Sequence, residues 1–122
     1  MNDNFKQLSE YDIENKVQSD VKYIQGEIIA KQVDGNYCKW SRVLKAVTVI
    51  GFSQKQYMDY WKKQYKNYSQ YLPLIVSTCN DKFANGLVSS QELMELIHNS
   101  QDFESEKLRA ITVLGGSNKN GK

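Results

Sequence analysis

Apolar residues recur at helical intervals along the first quarter of the chain. Ile13, Val17, Val21, Ile24 and Ile28 are spaced by four, four, three and four positions, which gathers them into an arc of about 80°. Ser9, with Asp12 three places on, has the form of an N-cap. The pattern predicts an amphipathic helix from Ser9 to Lys31, interrupted by Gly26 at a cost of about 1 kcal/mol relative to alanine. A second reading ends the helix earlier. In it, Ile29 to Val33 and Asn36 to Trp40 form a small hairpin on a type I′ turn at Asp34-Gly35.

Ser41 then predicts a cap for a short helix over 42–50, with Trp40, Val43, Val47 and Ile50 along one side. The β-branched run Val47, Thr48, Val49, Ile50 makes a strand the competing assignment. Ser53 and Gln56 form a capping box that opens a third helix, expected to run from Gln54 to Leu72 and to stop before Pro73. Tyr57, Tyr60, Trp61, Tyr65, Tyr68, Tyr71 and Leu72 lie on one face of it, and Lys55, Lys62, Lys63 and Lys66 on the other.

Pro73 suits the first turn of a fourth helix carrying Leu74, Ile75, Cys79 and Phe83, closed by Asn85-Gly86. A capping box at Ser89 and Glu92 starts a fifth, and Asp102 is read as the cap of a last helix over 103–114. These signals predict an all-α single domain of five to six helices over 9–116, with a flexible N-terminus at 1–8 and a flexible tail at 117–122.

Composition narrows the function classes. With one histidine (His98) and two cysteines (Cys38 and Cys79) in 122 residues, a Cys/His metal site lacks ligands. Both cysteines read as small buried hydrophobes, so no metal and no cofactor is expected. The polar N-terminus and the lack of a long apolar run point to a cytoplasmic protein that does not enter a membrane. No phosphate loop, nucleophile elbow or paired-carboxylate motif is present, and a Cys–His nucleophile pair has no local support. The chain reads as a binding protein and not an enzyme.

Net charge is only +2, but it is blocked: residues 37–79 sum to +6 between segments of −3 and −5. Lys39, Arg42, Lys45, Lys55, Lys62, Lys63 and Lys66 are the candidates for phosphate contacts with DNA or RNA. The same lysines also fit an ordinary solvated helix face. The aromatic face (Tyr57, Tyr60, Trp61, Tyr65, Tyr68, Tyr71) fits a core, or an interface to a protein partner or a second copy, because buried tyrosine hydroxyls need partners. On that alternative the chain is an inhibitor, immunity factor or assembly adaptor, acting through the aromatic face or the acidic C-terminal third.

Two local patterns carry rival readings. Residues 43–60, with Gly51 at the turn, resemble a repressor-type helix-turn-helix over fewer than twenty positions. They depart from it at Val47, where that motif packs an alanine. Residues 81–92 match several positions of an EF-hand loop, but Phe83 stands at a ligand position.

Overall fold

The computed structural model describes residues 9–116, and the two expected flexible ends lie outside them. Five helices flank a three-stranded antiparallel sheet. The helices are α1 (Glu10–Gly26), α2 (Gln54–Gln64), α3 (Leu72–Asn85), α4 (Ser90–His98) and α5 (Glu104–Val113). The strands are β1 (Ile28–Lys31), β2 (Tyr37–Ser41) and β3 (Ala46–Phe52), paired in the order β1-β2-β3. The fold is therefore mixed α and β, and the all-α expectation is wrong.

The error is confined to residues 28–52. The hairpin alternative is the one realised, and it continues into a third strand where a helix was expected. Ser41 does accept the backbone N–H of a residue three places on (Leu44, 3.0 Å), as an N-cap would. The same bond closes a tight turn equally well. Lys45 takes a left-handed φ of 56°, and the chain reverses into the β-branched run, which suits a pleated surface. Trp40 and Val47, read as neighbours on one helix side, sit opposite each other across two strands. With residues 46–52 extended, the helix-turn-helix has no first helix. The β1–β2 turn is not type I′ either, because Gly35 is left-handed and Asp34 is not. Asp34 Oδ1 instead accepts the Asn36 N–H (2.9 Å) and the Gln32 side-chain amide (3.1 Å).

Capping boxes at Ser53/Gln56 and Ser89/Glu92 and the Ser9 cap form as expected. Phe103 stands at the N-cap of the last helix and makes no side-chain cap, so Asp102 does not play that part. The third expected helix stops at Gln64, eight residues early. A straight helix from Gln54 to Leu72 spans about 28 Å. It would carry Tyr68 and Tyr71 past the cluster they pack against. The chain instead turns at Tyr65 and passes through one 3₁₀ turn (Ser69–Tyr71) into α3.

Both faces of the sheet pack against helices. Ile28, Ala30, Cys38, Trp40, Val47 and Ile50 face one way and pack with Leu93, Ile97, Ala110 and Ile111 of α4 and α5. Ile29, Tyr37 and Phe52 face the other way and meet Ile13, Val17 and Ile24 of α1, Tyr57 and Trp61 of α2, and Ile75, Cys79 and Phe83 of α3. Alternation along each strand thus feeds two cores, α1–α3 on one side and α4–α5 on the other. No described helix is long and apolar enough to cross a membrane.

One helix end is sealed from a distance. The last carbonyls of α1 have no basic residue of their own helix nearby. Lys82 of α3, only 5 % exposed, donates to Gln25 O (2.9 Å) and to Glu27 O, and Arg42 donates to Gly26 O (2.5 Å). Cations here satisfy orphan carbonyls and complement the helix dipole.

Candidate functional site

α1, α2 and the Ile29–Lys39–Val49 face of the sheet leave a cavity of about 470 Å³. Its walls are the rings of Tyr23, Phe52, Tyr57, Tyr60 and Trp61, and its polar lining is Asp20, Glu27, Lys39 and Gln56. A second groove of about 430 Å³ adjoins it and shares Tyr23, Glu27 and Lys39. There the lining adds Lys22, Arg42, Trp40 and Thr48. Together the two form a depression whose first cavity is walled by aromatic rings and whose second is lined by cations.

Each wall has a local cause. The capping box at Ser53 fixes the start of α2, so Tyr57 and Trp61, one turn apart, both turn inward. Tyr60 stays 56 % exposed and stands across Trp61 at 5.3 Å and 87°. Tyr23, 55 % exposed on α1, tilts toward Trp61 at 6.1 Å and 56°. Phe52 ends β3 and stacks on Tyr57 at 6.0 Å. The two half-open tyrosines with the indole between them form a concave aromatic surface open to solvent.

The floor is a charged network. Glu27 Oε1 accepts the Tyr57 hydroxyl (2.5 Å), and Oε2 pairs with Lys39 Nζ (3.0 Å). Asp20 Oδ2 accepts the Tyr65 hydroxyl (2.6 Å) and Lys16 Nζ (2.7 Å). Lys16 also lies 4.6 Å above the Tyr65 ring, a cation–π contact. Burial and then the bonded carboxylates push the Tyr57 and Tyr65 hydroxyls far above the usual tyrosine range. Burial, then the Glu27 charge, also raises Tyr23. These phenols stay protonated as donors and lock the carboxylates in place.

The structure divides the residues singled out above. Lys39, Arg42, Tyr57, Tyr60 and Trp61 meet at the depression. Tyr65 is fully buried beneath it, and Tyr68 and Tyr71 pack half-buried against the same core. Lys45 lies in the β2–β3 turn, and Lys55 pairs with Asp59 on the outer side of α2. Lys62 and Lys63 sit in the last turn of α2 and Lys66 just beyond it, with no ion pair among the described residues. Lys62 is about 140° around α2 from Tyr57 and points away from the depression. Asp20, Tyr23 and Glu27 were missed, although all three fall along one border of the apolar stripe of the first helix. Acceptors and a tyrosine along such a border were the available signal.

Other candidates dissolve. Cys38 and Cys79 are free, buried and on opposite faces of the sheet, with thiols pushed up to about 11 by burial. Such thiols are poor nucleophiles. Asp81 and Asn85 of the EF-hand-like pattern lie in α3 and bond to each other. Among the described residues no group of three His, Cys, Asp or Glu side chains could hold a metal. Comparison with known proteins finds no matching family model, no matching curated relative and no matching solved structure.

Proposed function

We propose that the protein binds single-stranded nucleic acid along this depression. Bases lie against Tyr23, Tyr60 and Trp61, and phosphates lie along Lys22, Lys39 and Arg42. The observation that carries the reading is that the aromatic and basic cavities adjoin, with Tyr23, Glu27 and Lys39 lining both. A strand of bases on a charged backbone calls for stacking rings beside cations. The aromatic cavity, at about 470 Å³, falls in the size range of small-ligand pockets.

The test is fluorescence anisotropy of labelled single-stranded and duplex oligonucleotides, titrated at low salt and repeated as salt rises. The single strand should bind more tightly, with log-linear loss of affinity in salt. Tyr60→Ala should weaken binding by about fivefold to a hundredfold, the usual worth of one stacked base. Lys22→Glu should weaken it and flatten the salt slope. Both side chains are exposed, so neither change threatens the fold. Unchanged affinity in both variants would sink the reading.

A second surface is favoured by one observation. Lys62, Lys63 and Lys66 cluster without an ion pair among the described residues, and they could hold phosphate from the outer side of α2. Lys62→Glu with Lys66→Glu separates the two sites. Lost binding in that pair, with Tyr60→Ala silent, moves the contact to the outer face. If no oligonucleotide binds, a protein partner or a second copy covering Tyr23 and Tyr60 becomes the occupant to pursue.

A further inference from the structure

We infer that the aromatic cavity is selective for guanine, with Asp20 as the residue that reads the base; this rests on the single-strand reading above. The polar lining is rich in acceptors. Asp20 and Glu27 are carboxylates, which accept hydrogen bonds and donate none when ionised. Both oxygens of Glu27 are engaged, by Tyr57 and Lys39. Asp20 uses only Oδ2, for Tyr65 and Lys16, and no described residue donates to Oδ1. Lys39 is held by Glu27, and the remaining group is Gln56. Its Oε1 accepts the Ser53 backbone N–H (2.8 Å), which leaves its amide N–H₂ free to donate.

A ligand for this lining presents donors to a carboxylate and an acceptor to an amide. The Watson–Crick edge of guanine does so: N1–H and the N2 amino group are adjacent donors, and O6 beside them accepts. Adenine and cytosine each offer one amino group next to a ring nitrogen that also accepts, so the free Oδ1 meets one donor beside a repelling lone pair. Uracil and thymine set a single N–H between two carbonyls. Unpaired bases are read on this edge while stacked on aromatic rings.

The competing occupant is a cationic side chain, which aromatic walls and carboxylates also attract. Here each carboxylate already holds a lysine, Asp20 with Lys16 at 2.7 Å and Glu27 with Lys39 at 3.0 Å. A further cation meets a neutralised site. A neutral base needs only free lone pairs, and those persist on Asp20 Oδ1.

The experiment measures the affinity of the full chain for short oligothymidines with one central position varied among guanine, adenine, cytosine and thymine. Guanine should bind about tenfold more tightly than thymine, the usual worth of a hydrogen bond to a charged group. Asp20→Asn should shrink that gap to about twofold. Circular dichroism checks its fold, because Asp20 also holds Tyr65. The wild-type series decides the matter even if that variant unfolds. Equal affinity for all four bases overturns guanine selectivity and leaves strand binding standing. No binding by any oligonucleotide overturns both. Tighter binding of arginine amide than of guanosine monophosphate assigns the cavity to a cation instead.

Discussion

Lys82 shows how much one side chain can carry. Its ammonium is driven below its ordinary pKa by burial, yet it satisfies two carbonyls at the end of α1. Lys82→Ala should cost about 2–3 kcal/mol, because it strands buried acceptors and removes a packed stem. Lys82→Met keeps the stem and should cost less. Urea midpoints of the two variants check the order. The buried tyrosines and cysteines set the alkaline limit of the fold. Cys38 and Cys79 rise from 9.0 to about 11, and Tyr57 and Tyr65 rise from 10.0. A group whose folded pKa is raised stabilises the fold fully below its unfolded value and loses that contribution as pH climbs through the folded one. Lys82, lowered from 10.5, works in the opposite direction, but it is one group against four. Urea midpoints measured under reducing conditions should therefore fall steadily between pH 9 and 11. A flat profile would contradict the hydroxyl and thiol environments described above.

At the scale of elements, the sheet separates residues that look alike in sequence. Ile29 and Val49 both face the α1–α3 side, but Ile29 is fully buried and Val49 is 39 % exposed. Ile29→Ala should cost about 2–5 kcal/mol, and Val49→Ala should cost well under half as much, measured by chemical denaturation. The helix starts at Ser9, Ser53 and Ser89 were legible because each rests on local bonds between a side chain and the backbone three residues on. Ser41 makes the same local bond and starts no helix. What decides there is the pairing of Lys39 with Val49 and Trp40 with Val47, which no short window reveals. The site was legible in part for the same reason. Tyr57, Tyr60 and Trp61 announce themselves by spacing on one helix. Their joining to Asp20, Tyr23 and Lys39 depends on how the sheet and α1 pack, and that is long-range information.

For the whole molecule, one sheet serves two cores, and each core holds one tryptophan: Trp40 with α4 and α5, Trp61 with α1 to α3. Trp40→Phe and Trp61→Phe each leave a fluorophore reporting on a single side. Because both cores need the same three strands, the two urea transitions should coincide within each variant when fluorescence is compared with circular dichroism. Separate midpoints would mean that the α4–α5 layer comes away by itself.

The seal on α1 also orders events in time. Gln25 and Glu27 wait for a lysine 57 and 55 positions later. During synthesis from the N-terminus, at roughly 5–20 residues per second, the hairpin strands and α2 leave the ribosome before that lysine does. The rings of the depression therefore emerge before the anchor beneath Glu27. A nascent chain stalled short of residue 82 carries the aromatic wall with the end of α1 unsealed. Closure of the end of α1 is thereby tied to the synthesis of α3.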